Sequence, residues 1–341
     1  MISASGVLFV TPDRRALLLK RGPKGDAPGT WAPPGGGIEE GETAAQAAAR
    51  EVLEETGHRV DPAELTPWTR RVKDDVDFTT FLCRVDEPFP VKLSDESTGH
   101  AWAPLNDPPQ PMHPGAAVSL AKFGMTELDL ARAIRDGELT SPQRIGNVWL
   151  FAMRLTGTGA AYRHKLKEYA FRAPEIYLTE EALPRWNGVP VIWEHPPTNA
   201  LTSKEFAERV IGAVCLPYIL GAEVWGIARI NDAEAAELMM SEQLSTSPAV
   251  VWGDPTANER VQMTEDKAIL FEGEPTLIDH LAVCEVGVWD KDGPPIGIQS
   301  EASTGEAEMA KEEAKADSRL DSAISKLRSI RVDVACLTTR F

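Results

Sequence analysis

A glycine run followed by an acidic helix is the sequence feature that most constrains this chain. Residues 35–37 are all glycine, and the Ala/Glu-rich segment behind them predicts a helix that starts near Thr43. In that helix Glu51, Glu54 and Glu55 are three and four residues apart, so their carboxylates share one face. Their position near the helix C-terminus adds an unfavourable interaction with the helix dipole of roughly 0.3–1 kcal/mol per group.

A divalent cation would relieve this repulsion. Hard cations such as Mg²⁺ and Mn²⁺ prefer carboxylate and carbonyl oxygens. The glycines before the helix allow a tight loop that turns backbone groups towards a metal or a phosphate. The pattern therefore predicts a cation site, because a helix that only faced water would not require this arrangement.

The spacing of these residues resembles the Nudix box. Gly36 is followed after five residues by Glu42, and after seven more by Arg50-Glu51-Val52-Leu53-Glu54-Glu55-Thr56-Gly57. Every fixed position of the box is matched except the last, where the family has an aliphatic residue and this chain has His58. The resemblance covers about the first 120 residues.

The resemblance implies an α/β/α sandwich that uses Mg²⁺ or Mn²⁺ to hydrolyse a nucleoside diphosphate linked to another moiety. It also implies that Glu51 is a metal ligand or general base, oriented by Arg50. Glu96 is a candidate for the further acid that such enzymes bring from outside the box, and the alternative is an ordinary exposed loop residue. The implied metal-binding set is the carbonyl of Gly35 with Glu51, Glu54, Glu55 and Glu96.

Charge and cysteine content limit the partners and the compartment. A formal net charge of -17 argues against a general binder of nucleic acid or anionic membranes. No apolar stretch approaches the ~20 residues of a membrane span. The cysteines, Cys83, Cys215, Cys284 and Cys336, contain no CxxC pair, which favours a reducing cytoplasm over a disulfide framework. We therefore expect a soluble protein of a reducing cytoplasm.

Changes of pattern along the 341 residues predict four segments. Residues 1–122 form the Nudix domain, residues 123–140 a bridging helix with Leu128, Ala131, Ala133 and Ile134 on one side, and residues 141–297 a β-rich α+β domain. Residues 298–341 form an acidic linker and a helical tail. Leu320, Ile324, Leu327 and Ile330 give the tail an apolar stripe, which predicts an oligomerisation or scaffold-like helix.

Histidines and serines in the second domain have two interpretations. His195 ends an apolar strand, His280 begins another, and Ser245 and Ser247 lie between them in the chain. Taken singly, each is typical of a structural residue. A zinc site would need more ligands, and Cys284 is the only nearby candidate.

The order of these segments resembles the phage head-maturation (prohead) proteases and the related herpesvirus assemblins, which use His, Ser and His. The resemblance covers residues 145–295 and implies that Ser245 is the nucleophile, His195 the base and His280 the orienting member. A serine needs such an oriented imidazole to lose its proton. Ser247 and Asp279 remain alternatives for the nucleophile and the third member. Assemblins carry an arginine pair after the glycine that matches Gly287. In this chain Val288 and Trp289 follow that glycine instead.

These resemblances imply a bifunctional phage protein of the bacterial host cytoplasm or of phage proheads. One domain would hydrolyse nucleoside diphosphate-linked substrates, and the other would cleave phage capsid or scaffold proteins during capsid maturation. An alternative is a capsid-assembly or scaffolding protein whose protease-like domain is an inactive binding module. A second alternative makes the Nudix domain a nucleotide sensor, although its complete acidic set favours turnover.

Overall fold

A division after residue 140 separates the chain into two units. The computed structural model describes residues 2–300, apart from residues 25, 74, 165, 199, 265 and 266. The predicted C-terminal helix therefore lies outside the described residues. Among the described residues, no helix is long and apolar enough to span a membrane.

The first unit is built on one mixed sheet. Its elements are β1 (Ile2–Val10), β2 (Arg15–Arg21), β3 (Trp31–Ala32), β4 (Gly35–Gly37), α1 (Ala44–Thr56), β5 (Thr66–Lys73), β6 (Val76–Arg84), β7 (Ser97–Pro104), α2 (Pro114–Ala121) and α3 (Glu127–Arg135). The strand order is β3-β2-β1-β6-β5, with β4 against β1 and β7 against β2. β1 and β6 are parallel in register, and the other pairs are antiparallel.

Apolar clusters cover both faces of the β1 region. Phe9 of β1 belongs to a cluster with Val52 of α1, whereas its neighbour Leu8 belongs to a second cluster with Leu120 of α2. Successive side chains of a strand point to opposite faces, so a strand buried on both sides needs an uninterrupted apolar run. That requirement explains the Val-Leu-Phe-Val sequence at residues 7–10, and the mixed α/β fold is confirmed.

The segment predicted as a bridging helix belongs to the first unit. α3 begins with a capping box in which the Thr126 hydroxyl accepts from the Asp129 N–H and the Asp129 carboxylate accepts from the Thr126 N–H. The predicted apolar stripe is only partly right, because Leu128 is 45% exposed while Leu130, Ala131, Ala133 and Ile134 are buried. After α3, the N–H and hydroxyl of Thr140 both donate to the carbonyl of Arg70.

We expect a fragment of residues 1–140 to fold alone, because it contains α3 and the contacts of Thr140. A fragment of residues 1–125 removes the four buried α3 residues and should unfold at a lower temperature or precipitate. Circular dichroism during heating measures the difference. Equal unfolding temperatures for the two fragments would show that α3 does not stabilise this unit.

The second unit is rich in strands, as predicted. Its elements are β8 (Gln143–Ile145), β9 (Val148–Gly157), β10 (Gly159–Arg163), β11 (Glu168–Arg172), α4 (Pro174–Tyr177), β12 (Pro190–Trp193), α5 (Ser203–Arg209), β13 (Val210–Leu220), β14 (Glu223–Ile230), α6 (Ala233–Ser241), β15 (Ser245–Val251), β16 (Glu259–Gln262), β17 (Ala268–Glu272) and β18 (Leu277–Cys284). A seven-stranded sheet has the order β15-β18-β12-β13-β14-β9-β8, and a four-stranded sheet has the order β10-β11-β17-β16.

The larger sheet curls so that its first strand meets its sixth. The Thr246 hydroxyl of β15 donates to the Arg154 carbonyl of β9, and the Arg154 N–H donates to the Gly297 carbonyl at 2.7 Å. Phe151, Met153 and Leu155 of β9 belong to the buried core of this unit. Because side chains alternate along a strand, Arg154 lies on the face opposite that core.

β12 ends two residues before His195. The next residue, Glu194, has a φ of 57°, a left-handed conformation that is uncommon for a residue other than glycine. Two prolines, Pro196 and Pro197, follow the histidine and cannot donate to a strand ladder. The predicted strand through His195 is therefore too long, and the turn at Glu194 redirects the histidine out of the sheet register.

Candidate functional site

α1 begins and ends where its sequence indicates. The Thr43 hydroxyl accepts from the Gln46 N–H and the Gln46 side chain accepts from the Thr43 N–H, which forms a capping box. Gly57 ends the helix with a φ of 71°, a conformation that glycine adopts without steric cost. Since both ends are fixed, the acidic residues of the last two turns have a defined orientation relative to β4.

The glycine strand β4 lies directly against these acidic side chains. Glu55 accepts a hydrogen bond from the Gly35 N–H at 2.9 Å. A Cβ atom added to Gly36 would lie 2.5 Å from a carboxylate oxygen of Glu51. A side chain at residue 36 would therefore displace the Glu51 carboxylate from this position.

Arg50 connects the helix to the loop that precedes it. Its Nε donates to Glu42 Oε1 at 2.9 Å and its Nη2 donates to Glu42 Oε2 at 3.1 Å. The same Nη2 donates to the Gly37 carbonyl at 2.8 Å, and Nη1 donates to Glu51 Oε1 at 2.8 Å. The planar guanidinium thus fixes the loop and orients one carboxylate oxygen of Glu51. Through these contacts Glu42 anchors the loop to the helix.

Burial and mutual repulsion perturb the acidic residues. Burial raises the pKa of Glu55 to about 7; the Gly35 N–H opposes this shift, while the Glu51 and Glu96 carboxylates add to it. Burial also raises the pKa of Glu51, although the hydrogen bond from Arg50 lowers it in part. The electrostatic effects of Glu96 on both groups place its carboxylate near them. Glu54 has a more open position, with its side chain 58% exposed.

These residues fit a hard cation by their chemistry. Among the described residues, no three acidic, histidine or cysteine side chains are arranged closely enough to hold a metal ion as they stand. The partly buried carboxylates of Glu51 and Glu55 nevertheless repel each other, and they supply the oxygens that Mg²⁺ or Mn²⁺ prefers. The metal-binding set, from Gly35 to Glu96, remains a prediction.

His58, the departure from the Nudix pattern, packs as an apolar residue would. Its ring stacks on Phe89 with centroids 3.6 Å apart and meets the edge of Phe9 at 5.7 Å. Burial lowers the pKa of this imidazole, which favours the neutral form. The substitution therefore keeps the packing position and does not add a group to the acidic site.

In the second unit, the structure brings the two predicted histidines together. His195 Nδ1 lies 2.8 Å from His280 Nε2, and His280 Nδ1 lies 2.7 Å from Asp279 Oδ2. His280 is fully buried. Asp279 thus extends the pair instead of replacing His280, and the geometry fits a base that is oriented by a second imidazole.

The structure does not bring Ser245 into this chain of hydrogen bonds. Its buried hydroxyl donates to Asp290 Oδ1 at 2.8 Å and accepts from Arg154 Nη2 at 3.3 Å. Ser245 lies opposite Cys284 in the ladder, whereas Ser247 lies opposite Ala282, two residues nearer to His280 along β18. The predicted contact between Ser245 and His195 is absent from this conformation, because Asp290 engages the hydroxyl.

Asp290 and Arg154 were missed by the sequence analysis. Arg154 carried a usable signal, since it interrupts the apolar run of residues 148–155 in a strand that is otherwise buried. A charge in such a position requires a buried partner. The sequence could not identify Asp290 as that partner, because 136 residues separate the two.

Comparisons with known proteins concern the first unit. The NUDIX domain family model matches residues 2–123. Nucleoside triphosphatase NudI of Escherichia coli O17:K52:H18 (strain UMN026 / ExPEC) is 36% identical over 97 residues, covering 25% of this chain and 68% of that protein. NudI of Shigella flexneri serotype 5b (strain 8401) is 34% identical over 98 residues with the same coverage.

Among solved structures, the Nudix hydrolase RenU of M. smegmatis is 29% identical and has a TM-score of 0.30, covering 36% of this chain and 83% of that chain. The segment that the family model matches contains Gly36, Glu42 and the Arg50–Gly57 motif. Through this N-terminal unit, the chain belongs to the Nudix family.

Proposed function

We propose that the first unit is a metal-dependent pyrophosphohydrolase that acts on nucleoside diphosphates linked to another group, nucleoside triphosphates included. The main observation in support of this proposal is that Glu51 and Glu55 lie against the glycine strand, and that Arg50 donates a hydrogen bond to Glu51. The curated relatives named above are nucleoside triphosphatases, which supports this substrate class.

Each residue of the acidic site would have a separate role in hydrolysis. Arg50 orients Glu51, whose raised pKa suits a carboxylate that accepts a proton from an attacking water. Glu54 and Glu55 would hold Mg²⁺ or Mn²⁺ with the Gly35 carbonyl and Glu96. When bound, the ion would neutralise charge on the pyrophosphate and its leaving group. Glu42 would keep the loop in place through Arg50.

Substitution of the acidic residues should remove hydrolysis without unfolding the unit. Glu54→Gln and Glu55→Gln should each lower kcat/KM by about 10²-fold or more, because each removes a charge that offsets the phosphate oxygens. Activity of the wild type should require Mg²⁺ or Mn²⁺ and disappear in chelator. Phosphate or pyrophosphate release from a panel of nucleotides measures both effects.

Glu40→Gln is the matched control for these substitutions. Glu40 is an exposed carboxylate at the same loop, outside the contacts of Arg50. Its replacement should leave the rate unchanged. A Glu54→Gln protein that hydrolyses its best substrate at the wild-type rate would remove Glu54 from the metal site.

Glu55 also predicts a pH dependence of stability in the metal-free protein. Its folded-state pKa of about 7 exceeds the usual value of 4.5, so the folded form binds the proton more tightly. The contribution of Glu55 to the free energy of unfolding is fully present below pH 4.5 and is lost as the pH rises through 7. Since one pKa unit corresponds to about 1.4 kcal/mol, the loss is on the order of 1–3 kcal/mol.

Glu55→Gln isolates this contribution, because the amide stays neutral at every pH. In chelator, the variant should match the wild type near pH 4.5 and unfold a few degrees above it at pH 8. Differential scanning calorimetry of the two full-length proteins gives the comparison. A difference that does not change between these pH values would contradict the assigned burial of the Glu55 charge.

We propose as a second function that the residue 141–297 unit is a serine-type peptidase of the prohead type, acting on capsid or scaffold proteins. The observation that favours it is the hydrogen-bonded series His195, His280 and Asp279. In the reaction, Ser245 would attack the peptide carbonyl while His195 takes its proton and returns it to the leaving amine. The inactive binding module is the competing hypothesis.

Cleavage by this unit is tested with substitutions of the candidate residues. The acidic segment from Ser300 to Asp317 is the expected internal target, chosen from its sequence alone. Ser245→Ala and His195→Ala should each reduce cleavage by roughly 10⁴-fold. Intact-mass spectrometry, with and without co-expressed capsid proteins, detects the products.

Ser247→Ala separates the two candidate serines. This variant should cleave at a rate close to that of the wild type if Ser245 is the nucleophile. Cleavage by Ser245→Ala at the wild-type rate would exclude Ser245. A wild type that leaves itself and every capsid partner intact would favour the binding module.

A further inference from the structure

The carboxylate of Asp290 lies in a set of converging donors. Its side chain is fully buried and forms an ion pair with Arg154 Nη2. Oδ1 also accepts from the Ser245 hydroxyl at 2.8 Å and from the Ile296 N–H at 3.4 Å, and Oδ2 accepts from the Gly287 N–H at 2.6 Å. A guanidinium and two backbone N–H groups therefore surround an anion directly beside a serine oxygen.

Local structure explains two of these contacts. Asp290 is the last residue of the 3₁₀ turn Val288–Asp290, its bond to the Gly287 N–H is an ordinary capping contact, and the Ile296 N–H lies six residues along the same segment. The two side-chain contacts of Oδ1 come from β9 and β15, far away in sequence. Preorganised N–H donors next to a nucleophile are the arrangement that stabilises an oxyanion in acyl transfer.

Two glycines bring the segment 287–297 close to Ser245. A Cβ added to Gly287 would lie 2.8 Å from Ser245 Oγ, and one added to Gly297 would lie 2.5 Å from the same atom. Between them, Lys291 and Asp292 have φ values of 51° and 65°, which residues with side chains rarely adopt. The segment thus covers the serine closely and holds two residues in uncommon conformations.

We propose that residues 287–297 form an internal plug, in which the Asp290 carboxylate occupies the oxyanion-binding position beside Ser245 and keeps the peptidase inactive until the segment is displaced. This inference rests on the proposed peptidase function. In the plugged state the Ser245 hydroxyl donates to Asp290, so its proton is not available to His195. Displacement frees the hydroxyl and leaves the Arg154 guanidinium, which lies outside the segment, as the donor for the oxygen of the substrate carbonyl.

A fluorophosphonate probe reports directly on the plug. Ser245 Oγ forms a bond to phosphorus, fluoride leaves, and the hydroxyl proton passes to His195. Asp290→Asn keeps an acceptor for Arg154 but removes the charge that holds the plug. Because labelling scales with the open fraction, this variant should label Ser245 about tenfold or more faster than the wild type. Peptide mass spectrometry locates the label.

Asp292→Asn is the matched control on the same segment. Asp292 is exposed and contacts His164, and asparagine tolerates its left-handed conformation. This variant should label at the wild-type rate, and Asp290→Asn combined with His195→Ala should not label. Hydrogen exchange of residues 287–297 should accelerate in Asp290→Asn and stay unchanged in Asp292→Asn.

The outcomes distinguish failure of the plug proposal from failure of the peptidase proposal. If the wild type and Asp290→Asn label at the same rate and both need His195, the plug is wrong and the peptidase proposal stands. Unchanged hydrogen exchange of residues 287–297 in Asp290→Asn gives the same conclusion. No Ser245 labelling in any form overturns the peptidase and its regulation together. If Asp290→Asn does not fold, Asp290→Ser replaces it, because it removes the carboxylate and keeps both Arg154 and a hydrogen-bond acceptor beside it.

Discussion

The guanidinium of Arg50 is the contact on which the acidic site depends. It binds both oxygens of Glu42, the carbonyl of Gly37 and one oxygen of Glu51, and so joins the loop, the glycine strand and the helix. A lysine could not replace it, because an ammonium lacks the planar fork that reaches three separate acceptors. With this contact in place, Glu51 and Glu55 stay close despite their repulsion.

A second arginine has a comparable position in the other unit. Arg154 lies on the face of β9 opposite the core of its unit. It pairs with Glu223 and Asp290 and also donates to the Ser245 hydroxyl. Arg50 leaves its carboxylates near solvent, whereas Arg154 and Asp290 are both buried. The first arginine therefore organises an accessible site, and the second holds a serine in a closed one.

The sequence predicted local features better than long-range contacts. The start of α1 at Thr43, the approach of Gly36 and the clustering of the carboxylates follow from spacing and backbone geometry, which short segments determine. His195 and His280, both chosen from their order in the sequence, lie within hydrogen-bonding distance, and their roles stay a prediction. The contact of Ser245 with Asp290, the exposed Leu128 and the end of β12 before His195 depend on packing between distant segments, which periodicity cannot show.

The parallel pairing of β1 with β6 has a consequence for the order in which the region around the acidic site folds. Residues 2–10 lie at the start of the chain and residues 76–84 lie far along it, and the whole Nudix motif falls in the loop that this pair closes. Parallel pairs of this kind form late, because loop closure must precede any gain from their contacts. A nascent chain that has left the ribosome only as far as residue 58 carries every residue of the motif, but β1, which pairs with the glycine strand β4, gains its parallel partner only when β6 emerges.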